Sequence, residues 1–164
     1  MKWPRWLLLI VVAALGVWGW IALHPSPERL IRKALDGVAG AVSFGSNQGN
    51  LTKLAGAERL GNFFSTNVDV QINVPGRQEH RLAGRDEIQQ AALAARGSVP
   101  SLSVTFSDIN ITVNADRQSA VAEATVQARV GGEPDLIVQE MKFGLQNFDG
   151  DWLIVKVETL RMLQ

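Results

Sequence analysis

Two periods of apolar and polar positions run along this chain, and the change from one to the other divides it. After Pro27, Leu30, Ile31, Ala34, Leu35, Val38, Ala41 and Val42 recur at three- and four-residue spacing, which predicts a helix with one buried stripe. Ser26 suits its N-cap, Pro27 its first position and Glu28 its positive dipole end. The helix should stop near Phe44 and Gly45, and Gly45 to Gly49 reads as a loop. Asn50 is expected to cap a second helix whose apolar set is Leu51, Leu54, Ala55, Leu60, Phe63 and Phe64, weakened by Gly56 and Gly61. Val68, Val70, Ile72 and Val74 then alternate with Asp69, Gln71 and Asn73, a strand ended by Pro75 and Gly76. A polar turn follows. Gly84 opens a third helix with Asp86 and Glu87 in its first turn, Arg96 in its last and Gly97 after it. Ile88, Ala91, Ala92 and Ala95 give that helix a face of small residues.

From Ser101 the period is two. Leu102, Val104 and Phe106 alternate, as do Ile109, Ile111 and Val113, with a change of phase at Ser107 and Asp108 that predicts a β-bulge. After a turn at 114–117, Ala120, Ala122, Ala124, Val126, Ala128 and Val130 form the next strand. Gly131 to Pro134 turns again. Leu136 and Val138 shift phase to Met141, Phe143 and Leu145, which predicts a second bulge near Gln139 and Glu140. Asp149-Gly150 marks a hairpin, and Leu153, Val155 and Val157 belong to the last strand. The expected order is α, α, β, α, then four long antiparallel strands.

The first segment follows neither period. Trp6 to Leu23 is 18 residues without a charge, ten of them Leu, Ile or Val. As a helix it would be roughly 27 Å long, against a hydrocarbon core of about 30 Å. Trp3 and Trp6 lie at one end and Trp18 and Trp20 near the other, the placement of an aromatic belt. No small-x-small cleavage site ends the run, so a retained anchor is expected in preference to a signal peptide. Lys2 and Arg5 precede it, which places the N-terminus in the cytoplasm and the rest outside. The expected organisation is an anchor over 1–24, a linker over 25–27 and a single domain over 28–164. The expected location is the cell inner membrane, single-pass, with the C-terminal domain periplasmic and the lipid bilayer as a partner through Trp6–Leu23.

Composition narrows the function. The 164 residues carry 16 Lys plus Arg against 16 Asp plus Glu, a balance that argues against a nucleic-acid partner. Cysteine is absent and the two histidines are His24 and His80, so thiolate chemistry and Cys- or His-rich metal sites are not expected. No phosphate-binding glycine loop occurs, and no cofactor is expected.

Three stretches, 64–76 (from Phe64 through Pro75 and Gly76), 82–88 (Gly84, Arg85, Asp86, Glu87, Ile88) and 148–154 (Asp149, Gly150, Asp151, Trp152), together with the order of elements, resemble the nuclear transport factor 2-like superfamily, which includes SnoaL-like and ketosteroid isomerase-like proteins. The resemblance covers about 28–163. It implies an α+β fold, a curved antiparallel sheet wrapped on about three helices as a cone with a pocket. Its members include enzymes, small-molecule binders and assembly modules, so the fold leaves function open.

Isomerase-like members of that superfamily use a carboxylate base late in the first strand, with a tyrosine and a protonated aspartic acid as oxyanion donors. Here Asn73 lies nearest the base position, an amide is no base at neutral pH, and the chain has no tyrosine. The remaining candidate pocket residues are His80, within a charged cluster that reads as a solvated loop, and Glu140, beside the expected second bulge. No residue is assigned a catalytic role. The leading expectation is a membrane-anchored, non-catalytic binding or assembly module, with an envelope protein partner or a homodimer through the sheet. The alternative is a SnoaL-like protein or enzyme that takes a small apolar ligand in its pocket.

Overall fold

The computed structural model describes residues 26–73 and 80–162. Three helices, α1 (Pro27–Val42), α2 (Asn50–Gly61) and α3 (Arg85–Ser98), pack on a sheet of β1 (Phe64–Ile72), β2 (His80–Ala83), β3 (Leu102–Val113), β4 (Ser119–Val130), β5 (Leu136–Phe148) and β6 (Asp151–Met162). The sheet is open, in the order β2-β1-β6-β5-β4-β3. Helix α1 lies on β3, α2 on α3, and α3 on β1.

Each helix is there for a local reason. In α1 the stripe Ile31, Leu35, Val38 and Ala41 is buried while Arg29, Arg32, Lys33 and Asp36 face water. Ser26 occupies the N-cap position with Pro27 next, though the serine hydroxyl makes no capping bond. At the start of α3, Gly84 adopts φ +92, a conformation that favours glycine. There the Glu87 carboxylate accepts from the Ala83 N–H at 2.7 Å. Arg85 donates from both Nε (2.9 Å) and Nη2 (2.7 Å) to the Phe64 carbonyl, which ties α3 to β1.

In the sheet, Ser107 pairs with Thr125 and Asn110 with Glu123. Two residues, Asp108 and Ile109, therefore oppose one, and Asp108 takes φ +50; the expected bulge is present. Asp149 (φ +53) and Gly150 (φ +103) form the β5–β6 turn, both left-handed as a type I′ hairpin requires. The small row Ala120, Ala122 and Ala124 joins Ile31, Leu35, Leu145 and Ile154 in one apolar core.

Several expectations need correction. The sheet is mixed, not antiparallel throughout: β1 runs parallel to β6, with Val70 opposite Val157. No tight turn joins these two strands, so nothing forces them antiparallel. The segment read as a polar turn contains β2, an edge strand whose His80 pairs with Ile72. The irregularity near Gln139 and Glu140 is real, but its extra residue is on β6. Glu140 faces Arg161 and Met141 faces Thr159, leaving Leu160 over.

The membrane expectation is corrected as well. Among the described residues no helix is long and apolar enough to cross a membrane. The three helices have 16, 12 and 14 residues, against about 20 for a span, and each has a polar face. The expected span Trp6–Leu23 lies outside the described residues. No described element supplies the transmembrane helix, so the bilayer partner, the single-pass inner-membrane topology and the periplasmic placement drop out of the account.

Candidate functional site

The helices and the sheet border a pocket of about 270 Å³ that is open to solvent on one side. Water takes ~30 Å³ per molecule in the liquid, so the space amounts to roughly nine waters. Four strands of the sheet supply part of its wall: Phe106 from β3, Val126 from β4, Met141 and Phe143 from β5, and Val157 from β6. The Phe106 and Phe143 rings pack with centroids 5.5 Å apart. The helix side is low and flat, because α3 presents Ala91, Ala92 and Ala95 there. These small side chains hold the space open. Phe64 and Val70 of β1 and Leu82 of β2 complete the wall beside α3.

One lining residue is charged. Arg96 is 4% exposed, although arginine is almost never fully buried unless paired. Its Nη1 donates to the Ala92 carbonyl at 3.1 Å, and its Nη2 donates to the Ala41 carbonyl in the last turn of α1. Its guanidinium lies 5.2 Å from the centre of the Phe44 ring, within cation–π range. Its Nε is buried and has no hydrogen-bond partner. No carboxylate pairs with it among the described residues. Burial pulls its pKa below the ordinary arginine value, as loss of water does to any cation, yet a guanidinium stays protonated. Gly56 of α2 makes the burial possible: a Cβ there would lie 3.1 Å from both Nε and Nη2.

The residues singled out from sequence fall elsewhere. Asn73 is exposed just past β1. Its N–H donates to Thr159 Oγ1 at 3.2 Å, and its carbonyl accepts from Gln139 Nε2 at 3.4 Å. His80 is exposed at the start of β2. Glu140 alternates with the buried Gln139 and Met141, so it points to the opposite face of β5. None of the three lines the pocket; Asn73 follows Ile72, the partner of His80, and its carbonyl is bonded by the residue before Glu140, so the three lie near one another outside it. The buried Arg96 had a sequence signal. It stands eight residues after Ile88 and four after Ala92, on the stripe that α3 buries.

A second cleft, lined by Thr66, Asn67, Asp69, Arg81 and Arg85 together with Val68 and Ala83 among others, has a mixed polar and apolar wall. Its Asp69 accepts from Arg81 Nε at 2.9 Å. That bond is the chief reason its carboxyl titrates below the ordinary aspartate range. Among the described residues no group of three His, Cys, Asp or Glu side chains could hold a metal ion.

No protein-family model matches the chain, and no curated protein matches it in sequence. Solved structures do share its fold. A candidate aromatic ring hydroxylase from Novosphingobium aromaticivorans superposes with a TM-score of 0.64 at 11% identity, covering 85% of this chain and 93% of its own. A candidate scytalone dehydratase from the same organism gives 0.58 at 17%, covering 83% and 85%. A protein of unknown function with a cystatin-like fold from Nostoc punctiforme gives 0.62 at 12%, covering 80% and 88%. At such identities the likeness concerns the fold alone.

Proposed function

We propose that this domain binds a small, compact apolar molecule in the pocket between α3 and the sheet. The observation that carries the reading is the lining itself, which is apolar at every position except Arg96. Several of those side chains, among them Leu82, Ala91 and Phe106, remain half-exposed around the concavity. Apolar surface left wet costs roughly 25 cal/mol per Å², and a ligand that covers it recovers that cost. This reading replaces the expected membrane-tethered assembly module, for which no described element provides a span.

Binding without chemistry is favoured over catalysis. The lining offers no carboxylate, imidazole or hydroxyl, and proton transfer needs such a group within hydrogen-bond reach of the reacting atom. The names of two structural neighbours point to a dehydratase and a hydroxylase. The dehydratase reaction needs acid–base groups, and this pocket presents none.

Isothermal titration calorimetry of the full chain with octanamide and 2-naphthamide tests the proposal. Each has an apolar body of a size the pocket can hold and no charge. One-site binding with a negative heat-capacity change is expected, the mark of buried apolar surface. A folded chain that takes up neither amide overturns the reading.

A further inference from the structure

We propose that Phe44 is the partition that closes the inner end of the apolar pocket against a neighbouring polar cavity, so that the site accepts a ligand with a polar group at one end and disfavours a ligand with one at each end. The inference rests on the pocket reading above and adds what limits the ligand. Exposure sorts the pocket wall into two parts. Leu82, Ala91, Leu102, Phe106 and Val126 are half-exposed and belong to its rim, whereas Phe44, Leu60, Phe64, Ile88 and Ala92 are buried and belong to its inner end. Phe44 and Arg96 also line a second cavity, of about 360 Å³. Ser46, Asn47, Gln48, Lys53 and Ser98 are part of that cavity's wall, and the loop residues Gly45, Ser46 and Asn47 are exposed. The second cavity is therefore largely polar and reaches solvent.

The backbone of Phe44 is fixed at that boundary. Its N–H donates to the Leu102 carbonyl at 2.8 Å, and its carbonyl accepts from the Leu102 N–H at 2.9 Å, which pins it to the start of β3. The Arg96 guanidinium lies over its ring and donates from Nη1 and Nη2 to the Ala92 and Ala41 carbonyls. The cation is thus engaged by the ring and the two helices, and the wall of the pocket consists almost wholly of apolar atoms. A hydroxyl carried to this end would leave water and find no partner, a loss of about tenfold in affinity. The competing explanation is that Phe44 only fills space in the core. Truncating such a ring lowers stability but leaves the choice between ligands where it was.

Primary octanol and the α,ω-octanediol share one carbon chain and differ by a hydroxyl at the far end, so the ratio of their affinities for the full chain, measured by calorimetry, decides the matter. The wild-type chain is expected to bind octanol about tenfold more tightly than the diol. In Phe44→Ala the second hydroxyl gains access to the polar cavity, and the ratio should fall below about threefold. Phe143→Ala is the control. It enlarges the pocket from β5, and Phe143 does not line the polar cavity, so the ratio should stay near its wild-type value. Equal binding of the two alcohols to the wild-type chain overturns the inference and leaves the pocket reading standing. So does a ratio that is unchanged in Phe44→Ala, or one that falls equally in Phe143→Ala. If neither alcohol binds, both readings fall. Should the Phe44→Ala chain not fold, Phe44→Val opens a smaller gap. A lower ratio there supports the partition, and an unchanged one overturns it.

Discussion

Filling the pocket from the helix side should stabilise the protein and block binding together. Ala91 is half-exposed on α3 and lines the pocket, so Ala91→Leu directs three more carbons into the empty space. At ~0.8 kcal/mol per buried CH₂ the upper limit is about 2.4 kcal/mol. Fixing the leucine side chain costs roughly 0.5–1 kcal/mol, and the small difference in helix propensity subtracts little more. Because the pocket is open to solvent on one side, burial will be incomplete, and a net gain of about 1 kcal/mol is expected. For a domain of this size that corresponds to a rise in Tm of roughly 3 to 5 °C. Three carbons also take up about a third of a space equal to nine waters, so octanamide affinity should fall at least tenfold. Thermal unfolding followed by circular dichroism, with calorimetry on the same sample, measures both. Destabilisation by about 1 kcal/mol or more would show an overpacked site and refute the space assigned here. Unchanged octanamide affinity would place its binding elsewhere.

Phe143→Ala should cost about 3 kcal/mol in urea denaturation, the low end for a buried aromatic because the void opens onto an existing pocket; Phe143 is 3% exposed, and a loss below about 1.5 kcal/mol would contradict its place in the core. Gly84→Ala forces a left-handed residue to carry a Cβ 3.3 Å from the Thr66 carbonyl, and a loss of about 1–2 kcal/mol is expected; a neutral result would mean that the start of α3 is not held as described. Asp69 has its pKa lowered on folding, first by the Arg81 hydrogen bond, so the stabilisation is full above the ordinary aspartate value and is lost as pH falls through the lowered one. Asp69→Asn should therefore lower Tm at neutral pH, with the gap closing in acid; a gap that widens in acid would reverse the sign assigned to the ion pair.

Much of this fold is legible in the sequence because the relevant signals are local. The four buried positions of α1 fall on the predicted stripe. The Ser107–Asp108 bulge shows as a change of phase because an added residue turns every later side chain over. What the sequence hides is non-local or polar. Strand β2 is only four residues with a single large apolar side chain, Leu82, too short to display a period. The parallel β1–β6 pairing leaves no trace, since alternation along one strand carries no information about its neighbour's direction. On β5 the inward row runs through Gln139, which is 7% exposed. A polar residue in a buried row looks like a phase change, and that is why the second bulge was expected on β5. Arg96 was hidden for the same reason. Its position on the stripe of α3 argued for burial, and its charge argued for solvent. Only the apposed Gly56 and the carbonyls of Ala41 and Ala92 show which prevails. Asn73 is a candidate through its place nearest the base position of the resemblance, Glu140 through the expected bulge and His80 through its residue type, and none of these signals reports which face of a strand a side chain takes.

The most direct test of the pocket is a methyl NMR titration of the full chain with octanamide. Ile88, Val126, Met141 and Val157 line the pocket from four different elements, whereas Leu51 and Leu136 are exposed and are not part of its lining. Saturable shifts at the four pocket methyls with one common Kd, and none at the two leucines, are the predicted result. Shifts confined to Leu51 or Leu136, or no shift at the four pocket methyls up to the solubility limit of the amide, would contradict the claim that this cavity is the binding site.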